Sequence, residues 1–413
     1  MVAYAPMRQR VVVTGIGCIS PFGVGHRALV DALAAGRSGI RPITAFDTSS
    51  CRSHSAATLA DFDPASFISP LKLRRVDGVG RVALACARLL LDDSSPVVGA
   101  GGSDEIGVAL GTLTAGMDST IEYLQGLTKY GPAGAPALLF SNTVSNAPAS
   151  LCAIEHGLRG PNVTFNQREA SSLAAIAYAS GLIRDGRVKA MLSGGADRLE
   201  ETFFKVQERF GPFARDETSR PFDLHRGGFV LGEAGVLLLF EAADAAAARG
   251  ARVYGELLGV GMTASRSELN GWPLEPSGTA RAMQSALDDA GVPSTDVAAV
   301  FAAANGSTRL DAIEAVAIRT VFGSCVVPVL SLKGAIGESG AAGAVGLAAG
   351  LLMLANGVLP PTVGFQTADP DCAVNVSSDL RSVRGRTFVV NAIASGGTNY
   401  SLVARAGADD LAA

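Results

Sequence analysis

Charge is scarce in this chain of 413 residues: Asp, Glu, Lys and Arg together make up only 17 %. The signs nearly cancel, 34 basic against 38 acidic, for a formal net charge of −4. No block of Lys or Arg stands out, which argues against nucleic acid or an anionic membrane surface as the main partner. Cysteine is sparse and scattered. Cys18, Cys51, Cys86, Cys152, Cys325 and Cys372 contain no C-x-x-C pair, so neither a zinc site nor a disulfide framework is indicated. A reducing, cytoplasmic compartment fits that usage. The stretch from Met1 to Arg10 lacks the apolar h-region of a signal peptide. Charge is wholly missing from Ser339 to Leu359, yet that run is rich in Gly and Ala and ends at Pro360-Pro361. It reads as a buried core helix rather than a membrane span. Aromatics reach only 6 % against 49 glycines, which suggests close-packed backbone and tight turns. With 48 % hydrophobic residues, disorder is excluded as the main state.

What is present alternates. Apolar, mostly β-branched runs from Arg10, Ile106, Val163, Ala190, Gly235, Val297, Val326 and Thr387 read as strands. Helical patterns lie between them, at Arg27–Ala35, Val82–Leu91, Ser171–Arg184, Ala280–Ala290 and Ala312–Val321. This order predicts an α/β fold with a mainly parallel sheet covered by helices. Val236–Phe240, apolar throughout, suits a strand buried on both faces. Similar order before and after residue 255 suggests two like halves, 10–255 and 256–410, the first carrying insertions at about 38–75 and 113–145.

Chemistry is expected first at Gly160-Pro161-Asn162-Val163-Thr164-Phe165-Asn166-Gln167-Arg168-Glu169-Ala170-Ser171-Ser172. A strand runs through a sharp turn into a helix, so the turn residue meets the free N–H groups of a helix N-terminus. Enzymes expose nucleophiles on such turns. Here the turn carries Glu169, which suits the positive dipole but makes a poor acyl carrier, because its product would be a mixed anhydride. Cys152 and His156, four apart on an expected helix, could form a Cys–His pair, but no third orienting group is evident. A half-buried thiol and a satisfied His are the expectation there.

The elbow resembles that of the β-ketoacyl synthases, the condensing enzymes of fatty-acid and polyketide synthesis. There a cysteine follows the Gly-Pro by eight residues; here that count reaches Glu169. Further ordered blocks resemble the family: Val13-Thr14-Gly15-Ile16-Gly17 with Ser20-Pro21-Phe22-Gly23, Ala35 to Ile40, Ser219 to Glu233, and Gly396-Gly397-Thr398-Asn399. The resemblance implies a thiolase-like fold of five αβαβα layers built from two similar halves. Asp311 and Glu314 fit the family's spacing after its first histidine, which places Ala303 at that position. Lys333 and Gly337 fit the approach to the second, and Glu338 follows. Cysteine and both histidines are therefore replaced, by Glu169, Ala303 and Glu338, and the aromatic gate before the final glycine pair is Ser395.

Condensation needs a thiolate to hold the acyl chain and histidines to stabilise the enolate formed on decarboxylation. Two glutamates and an alanine offer neither, so no catalytic residue is expected, and no metal or cofactor is called for. Glu169 is expected to plug the elbow, bonded to Lys333, Arg168 or backbone N–H groups. Glu338 is expected to pair with Lys333, or to share a proton with Glu169. Lys333, Asp311 and Glu314 are expected to persist as a structural charge network. Within the family these losses resemble the chain-length factors, or KSβ subunits, of type II polyketide synthases. That implies a heterodimer with a catalytic ketosynthase (KSα) and an acyl carrier protein served by the complex. The matching tunnel helix would present Met117, Thr120 and Leu124 on one face, with plain core packing as the alternative. Two other functions stay open: a repurposed acyltransferase or decarboxylase using Glu169 and Glu338, or a structural homodimer.

Overall fold

The computed structural model describes residues 8–94, 97–99, 102–323 and 327–407. Met1 to Met7, Cys325, Val326 at the start of one expected strand, and 408–410 of the expected second half lie outside the described residues. Five strands come from the first part of the chain: β1 (Val11–Ser20), β2 (Ile106–Gly111), β3 (Asn162–Phe165), β4 (Ala190–Asp197) and β5 (Ala234–Ala242). Five come from the second: β6 (Gly255–Ala264), β7 (Ala299–Phe301), β8 (Val329–Leu330), β9 (Thr387–Ile393) and β10 (Thr398–Ala406). The eight helices needed below are α1 (Gly78–Asp93), α2 (Met117–Tyr130), α3 (Ala147–His156), α4 (Ser171–Arg184), α5 (Glu201–Phe210), α6 (Ser277–Ala290), α7 (Thr308–Phe322) and α8 (Ala342–Leu354).

The strands run in one continuous order, β8-β7-β9-β10-β6-β1-β5-β4-β2-β3. Read outward from the β1/β6 junction, the two arms are the same: first, fifth, fourth, second and third strand of each part. Their directions match too, antiparallel near the junction and parallel at the outer ends. The sheet is therefore mixed, not mainly parallel as the alternation suggested. Near the junction the long strands β9 and β10 meet through a tight reversal at Ser395-Gly396-Gly397, with no helix between them, and a hairpin is necessarily antiparallel.

Packing builds five layers. Helices α4 and α8 lie at the centre, with α8 touching β5 on one side and β9 and β10 on the other. Helices α1 and α3 cover the outer face of the first arm, and α6 and α7 that of the second. The uncharged run beginning at Ser339 supplies α8, which is buried on nearly every residue. Residues such as Leu347, Leu351 and Leu354 each contribute about 1.5–3 kcal/mol by leaving water. β5 is likewise buried along its whole length.

Glycine sets how close the outer helices come. A Cβ at Gly17 in β1 would sit 1.9 Å from the Cys86 carbonyl oxygen of α1. One at Gly261 in β6 would sit 1.9 Å from the Ala282 carbonyl oxygen of α6. Gly15 and Gly259 repeat the pattern two residues earlier, against Leu90 and Ala286. Each helix backbone thus rests directly on its strand. This explains why β6 escaped a pattern search: three of its ten residues are glycines, so it lacks the β-branched signature of an exposed pleat.

Candidate active site

The elbow is made by β3 ending against α4. Gln167 donates its N–H to Ser171 Oγ at 2.9 Å, and that hydroxyl donates to the Arg168 carbonyl at 2.6 Å. Arg168 is left with a φ of +54°, uncommon for a residue with a Cβ and costly by about 1–2 kcal/mol. Gly111 at the end of β2 makes room for this turn, since a Cβ there would lie 2.3 Å from the Ser171 backbone. Gly340 does the same from the other half, lying against the Arg168 carbonyl. The starts of the two central helices are then tied together: Ser172 N–H donates to the Gly340 carbonyl, and Ala344 N–H to Ser172 Oγ.

Glu169 is buried at the tip of this elbow. Both its oxygens accept from Ser395 Oγ at 3.0 Å, and Oε2 also accepts the Ser395 N–H at 2.9 Å. The Arg168 guanidinium stands 3.7 Å away. Lys333, one of the partners expected from the sequence, makes no bond to Glu169. It donates instead to the Ala303 carbonyl at 2.7 Å and to Glu338 Oε2 at 2.8 Å. The carboxylate on the elbow is thus latched to Ser395 just before the Gly396-Gly397 turn, a pairing the sequence did not announce although both residues stood out.

Glu338 is held by its backbone in a strand-like exchange with Val230 and Gly232. Gly337 before it has φ +70°, and a Cβ there would press on the Leu231 carbonyl at 2.6 Å. The Glu338 carboxylate takes bonds from Lys333 and from Asn305 Nδ2 at 2.7 Å, both through Oε2, and leaves Oε1 buried without a partner. Burial, with the nearby Glu169 charge, pushes its pKa up to about 7, against the opposing pull of Lys333. The expected ion pair with Lys333 is present, and Glu169 is near enough to repel it.

Ala303 presents only backbone to the site. Its N–H and that of Ala304 donate to the two oxygens of Glu314, at 2.9 and 2.7 Å. Asn391 Nδ2 adds a bond to Glu314 at 2.9 Å. Asp311 accepts the N–H groups of Phe222, Asn305 and Gly306, and burial raises its pKa to about 7. The expected charge network is therefore mainly a cradle for backbone N–H groups. Within it, the ion pairs are Lys333–Glu338 and a long Arg226–Asp311 contact at 3.9 Å. Asn305 and Asn391 were missed; their signal is a lone amide in an otherwise apolar run.

Two spaces meet at Glu169. Outside it, a mouth of about 160 Å³ is lined by Arg168, Gln207, Phe210, Asn270, Trp272 and Ser395. Inside it, a cavity of only about 20 Å³ lies between Phe301, Lys333, Gly346 and Asn391. That is room for about one water. Glu169 lines both spaces, and Ser395 the outer one.

The tunnel candidates lie on α2 but not in a core. Leu124 is 50 % exposed and Met117 half-buried, while Thr120 donates its hydroxyl to the Thr143 carbonyl at 3.1 Å. The core-packing alternative is thus wrong for Leu124. Apolar exposure continues at the end of the helix with Tyr130 and beyond it at Leu138, Phe140, Val144 and Ile154. The adjacent strand β3 ends the sheet and has no strand on its outer side. Cys152 and His156 do share α3, but Cys152 is fully buried, its thiol pushed up to about 12 by burial. His156 Nε2 is buried without a partner, so the expected satisfied histidine is not found. Among the described residues, no group of three or more metal-ligating side chains could hold an ion, and no helix is long and apolar enough to cross a membrane.

Comparisons agree with this geometry. Residues 8–245 match the family described as "Beta-ketoacyl synthase, N-terminal domain", and residues 254–366 its C-terminal domain. The chain is 30 % identical over 411 residues to the "3-oxoacyl-[acyl-carrier-protein] synthase 2" of Coxiella burnetii, covering 96 % of this chain and 98 % of that one. It is 34 % identical over 389 residues to the "Tetracenomycin polyketide synthase ketoacyl synthase alpha subunit" of Streptomyces glaucescens, covering 88 % and 89 %. Among solved structures, "The ishigamide ketosynthase/chain length factor" superposes with a TM-score of 0.88 at 32 % identity, over 97 % of this chain and all of that one. With its repeated five-strand arms, central helix pair and strand–elbow–helix, the chain belongs to the β-ketoacyl synthase family and has that family's thiolase-like fold.

Proposed function

We propose that this chain is the chain-length-factor (KSβ) half of a type II ketosynthase pair, without condensing chemistry of its own. The observation that carries the reading is the Glu169–Ser395 latch, in which a carboxylate held by the Ser395 N–H and hydroxyl stands at what we take as the nucleophile position. Ala303 and the Lys333–Glu338 pair remove the two imidazoles as well. An enolate forming here would face Glu169 and Glu338 with one lysine already bonded to both a carbonyl and a carboxylate. Its stabilisation would need donors aimed at developing negative charge, and this site aims acceptors there. On this reading the exposed apolar stripe on α2, with Met117 and Leu124, meets an active ketosynthase and lines the tunnel for a chain carried on acyl carrier protein. Two titled relatives support such partners: a ketosynthase/chain length factor, and a type II acyl carrier protein in complex with its ketosynthase at 26 % identity. We also propose the division into units 10–255 and 256–410, with 38–75 and 113–145 carried as insertions.

One observation favours a second reading. Glu338 retains its proton toward neutral pH and lies near Glu169, as a general acid beside a base would. The inner space of about 20 Å³ counts against it, being too small for a substrate carbonyl. The test is direct. The isolated chain, and the chain co-purified with an intact Cys/His/His ketosynthase, are given malonyl-loaded acyl carrier protein. The expected result is a stable heterodimer, product from the pair, and none from the isolated chain. Malonyl decarboxylation by the isolated chain above a denatured control would overturn the reading, and its loss in Glu169→Gln would establish the second.

A further inference from the structure

Far along the second arm, outside β8, the short strand 381–382 pairs with 358–359 and encloses a separate cavity of about 370 Å³. Its lining combines an apolar floor, Phe322, Val327 and Leu359, with Arg381, Arg384 and Thr295. Among the described residues no acidic side chain lines it.

Arg381 is unusual in its company. A guanidinium has five N–H groups. In Arg381, Nη1 donates to the carbonyl and the side-chain oxygen of Asn375 at 3.1 Å, and Nη2 to the Val329 carbonyl at 3.1 Å. Nε is buried without a partner. Three acceptors for five N–H groups leave Nε–H and one Nη2–H unmatched, and the three acceptors are all neutral. Among the described residues neither Arg381 nor Arg384 forms an ion pair with a carboxylate. Asp296, next in the chain to the lining residue Thr295, is exposed and accepts from Thr295 Oγ1. Burial without a compensating anion lowers the pKa of Arg381, the opposite of what Asp369 and Asp311 do for Arg226. Other partly buried arginines of the chain, Arg184 and Arg249, do have their carboxylates.

A half-buried guanidinium without a carboxylate is costly, and the cavity sets it beside the exposed Arg384 with no acidic side chain among its described lining, a setting that favours an oxyanion. We propose that this cavity binds a phosphate monoester, its phosphate held between Arg381 and Arg384 and its organic part on the Phe322–Val327–Leu359 floor. A volume of about 370 Å³ is within the range of small-molecule sites. This inference rests on the second arm alone and is independent of the function proposed above.

The test is calorimetric titration of the whole protein, in chloride at fixed ionic strength, with phenyl phosphate and with inorganic phosphate as probes. Saturable binding of phenyl phosphate tighter than about 1 mM is expected, with inorganic phosphate at least about tenfold weaker for want of the ring. Equal affinity for the two would mean an ion site without the apolar floor and overturn the ester assignment. Arg381→Gln should weaken phenyl phosphate by about tenfold or more. Should that variant fail to fold, Arg384→Glu on the exposed rim decides: it should abolish binding while leaving the melting temperature unchanged. Absence of saturable binding to the wild-type protein, or unchanged affinity in Arg384→Glu, would overturn the proposal.

Discussion

The elbow around Glu169 and the face around α2 belong to the same arm but are finished differently. At the elbow the buried charges are matched within the chain: Glu169 on Ser395, Glu314 on two successive N–H groups, Lys333 on a carbonyl and a carboxylate, with Glu338 Oε1 left over. At α2 the side chains have little to lean on. Leu124, Leu138, Phe140 and Ile154 stand in water, and the last strand of the sheet offers an open edge. An interior whose charges are matched within the chain has little need of another molecule, while an open sheet edge beside exposed apolar side chains is completed by one. The contrast teaches where the proposed function draws its support: from the face around α2 as much as from the pocket.

The contrast can be broken most forcefully from the inside. Lys333→Met would leave the buried Glu338 carboxylate with Asn305 alone and should destabilise the protein by about 3–5 kcal/mol. Urea unfolding reads this out, and a loss below about 1 kcal/mol would show that the interior is less tightly matched than its geometry implies. Next in size is the surface. Leu124→Asp should leave the unfolding midpoint of the isolated chain unchanged, yet weaken pairing with a ketosynthase by about 30-fold, the equivalent of about 2 kcal/mol. Equal damage to both would return Leu124 to the core.

How much of this was legible beforehand divides along the same line. The elbow and the Lys333–Glu338 pair could be read because each depends on short spacings: eight residues from Pro161 to Glu169, five from Lys333 to Glu338. The latch could not. Ser395 lies 226 residues from Glu169, and nothing local to either position announces the other. Sheet direction was misread for a related reason, since the alternation of strands and helices says nothing about the reversal at Gly396-Gly397. The face of α2 was half legible: periodicity gave the stripe, but only three-dimensional packing showed Leu124 facing out and Thr120 tied to Thr143.

Two smaller effects sharpen the comparison. Leu124→Trp should shorten the product of a reconstituted pair by about one extension unit, because a ring cannot share a channel one acyl chain wide. Product mass, normalised to intact heterodimer, decides this; unchanged length would remove Leu124 from the tunnel. The smallest is a pH slope. Glu338 holds its proton up to about 7 when folded, against 4.5 in the free side chain. The unfolded chain therefore releases that proton first as pH rises. The stability contributed by protonated Glu338 is complete below pH 4.5, falls through that interval and is gone above 7. Glu338→Gln should flatten this decline, measured as unfolding free energy at pH 5 and pH 8. A steeper decline in the variant would exclude Glu338 as its source.

The paired glycines under the outer helices carry a last consequence. Gly15 and Gly17 beneath α1, and Gly259 and Gly261 beneath α6, are one groove cut twice, each seating a helix backbone with no side chain between. A chain built by doubling inherits such a joint in duplicate and can afford to lose neither copy. Loops, elbows and gates hang from the ends of these joints and are free to drift. Across distant members, the hinge-like contact of strand on helix should thus outlast the reaction it once served, and a lineage could be traced by its missing side chains long after its catalytic ones have gone.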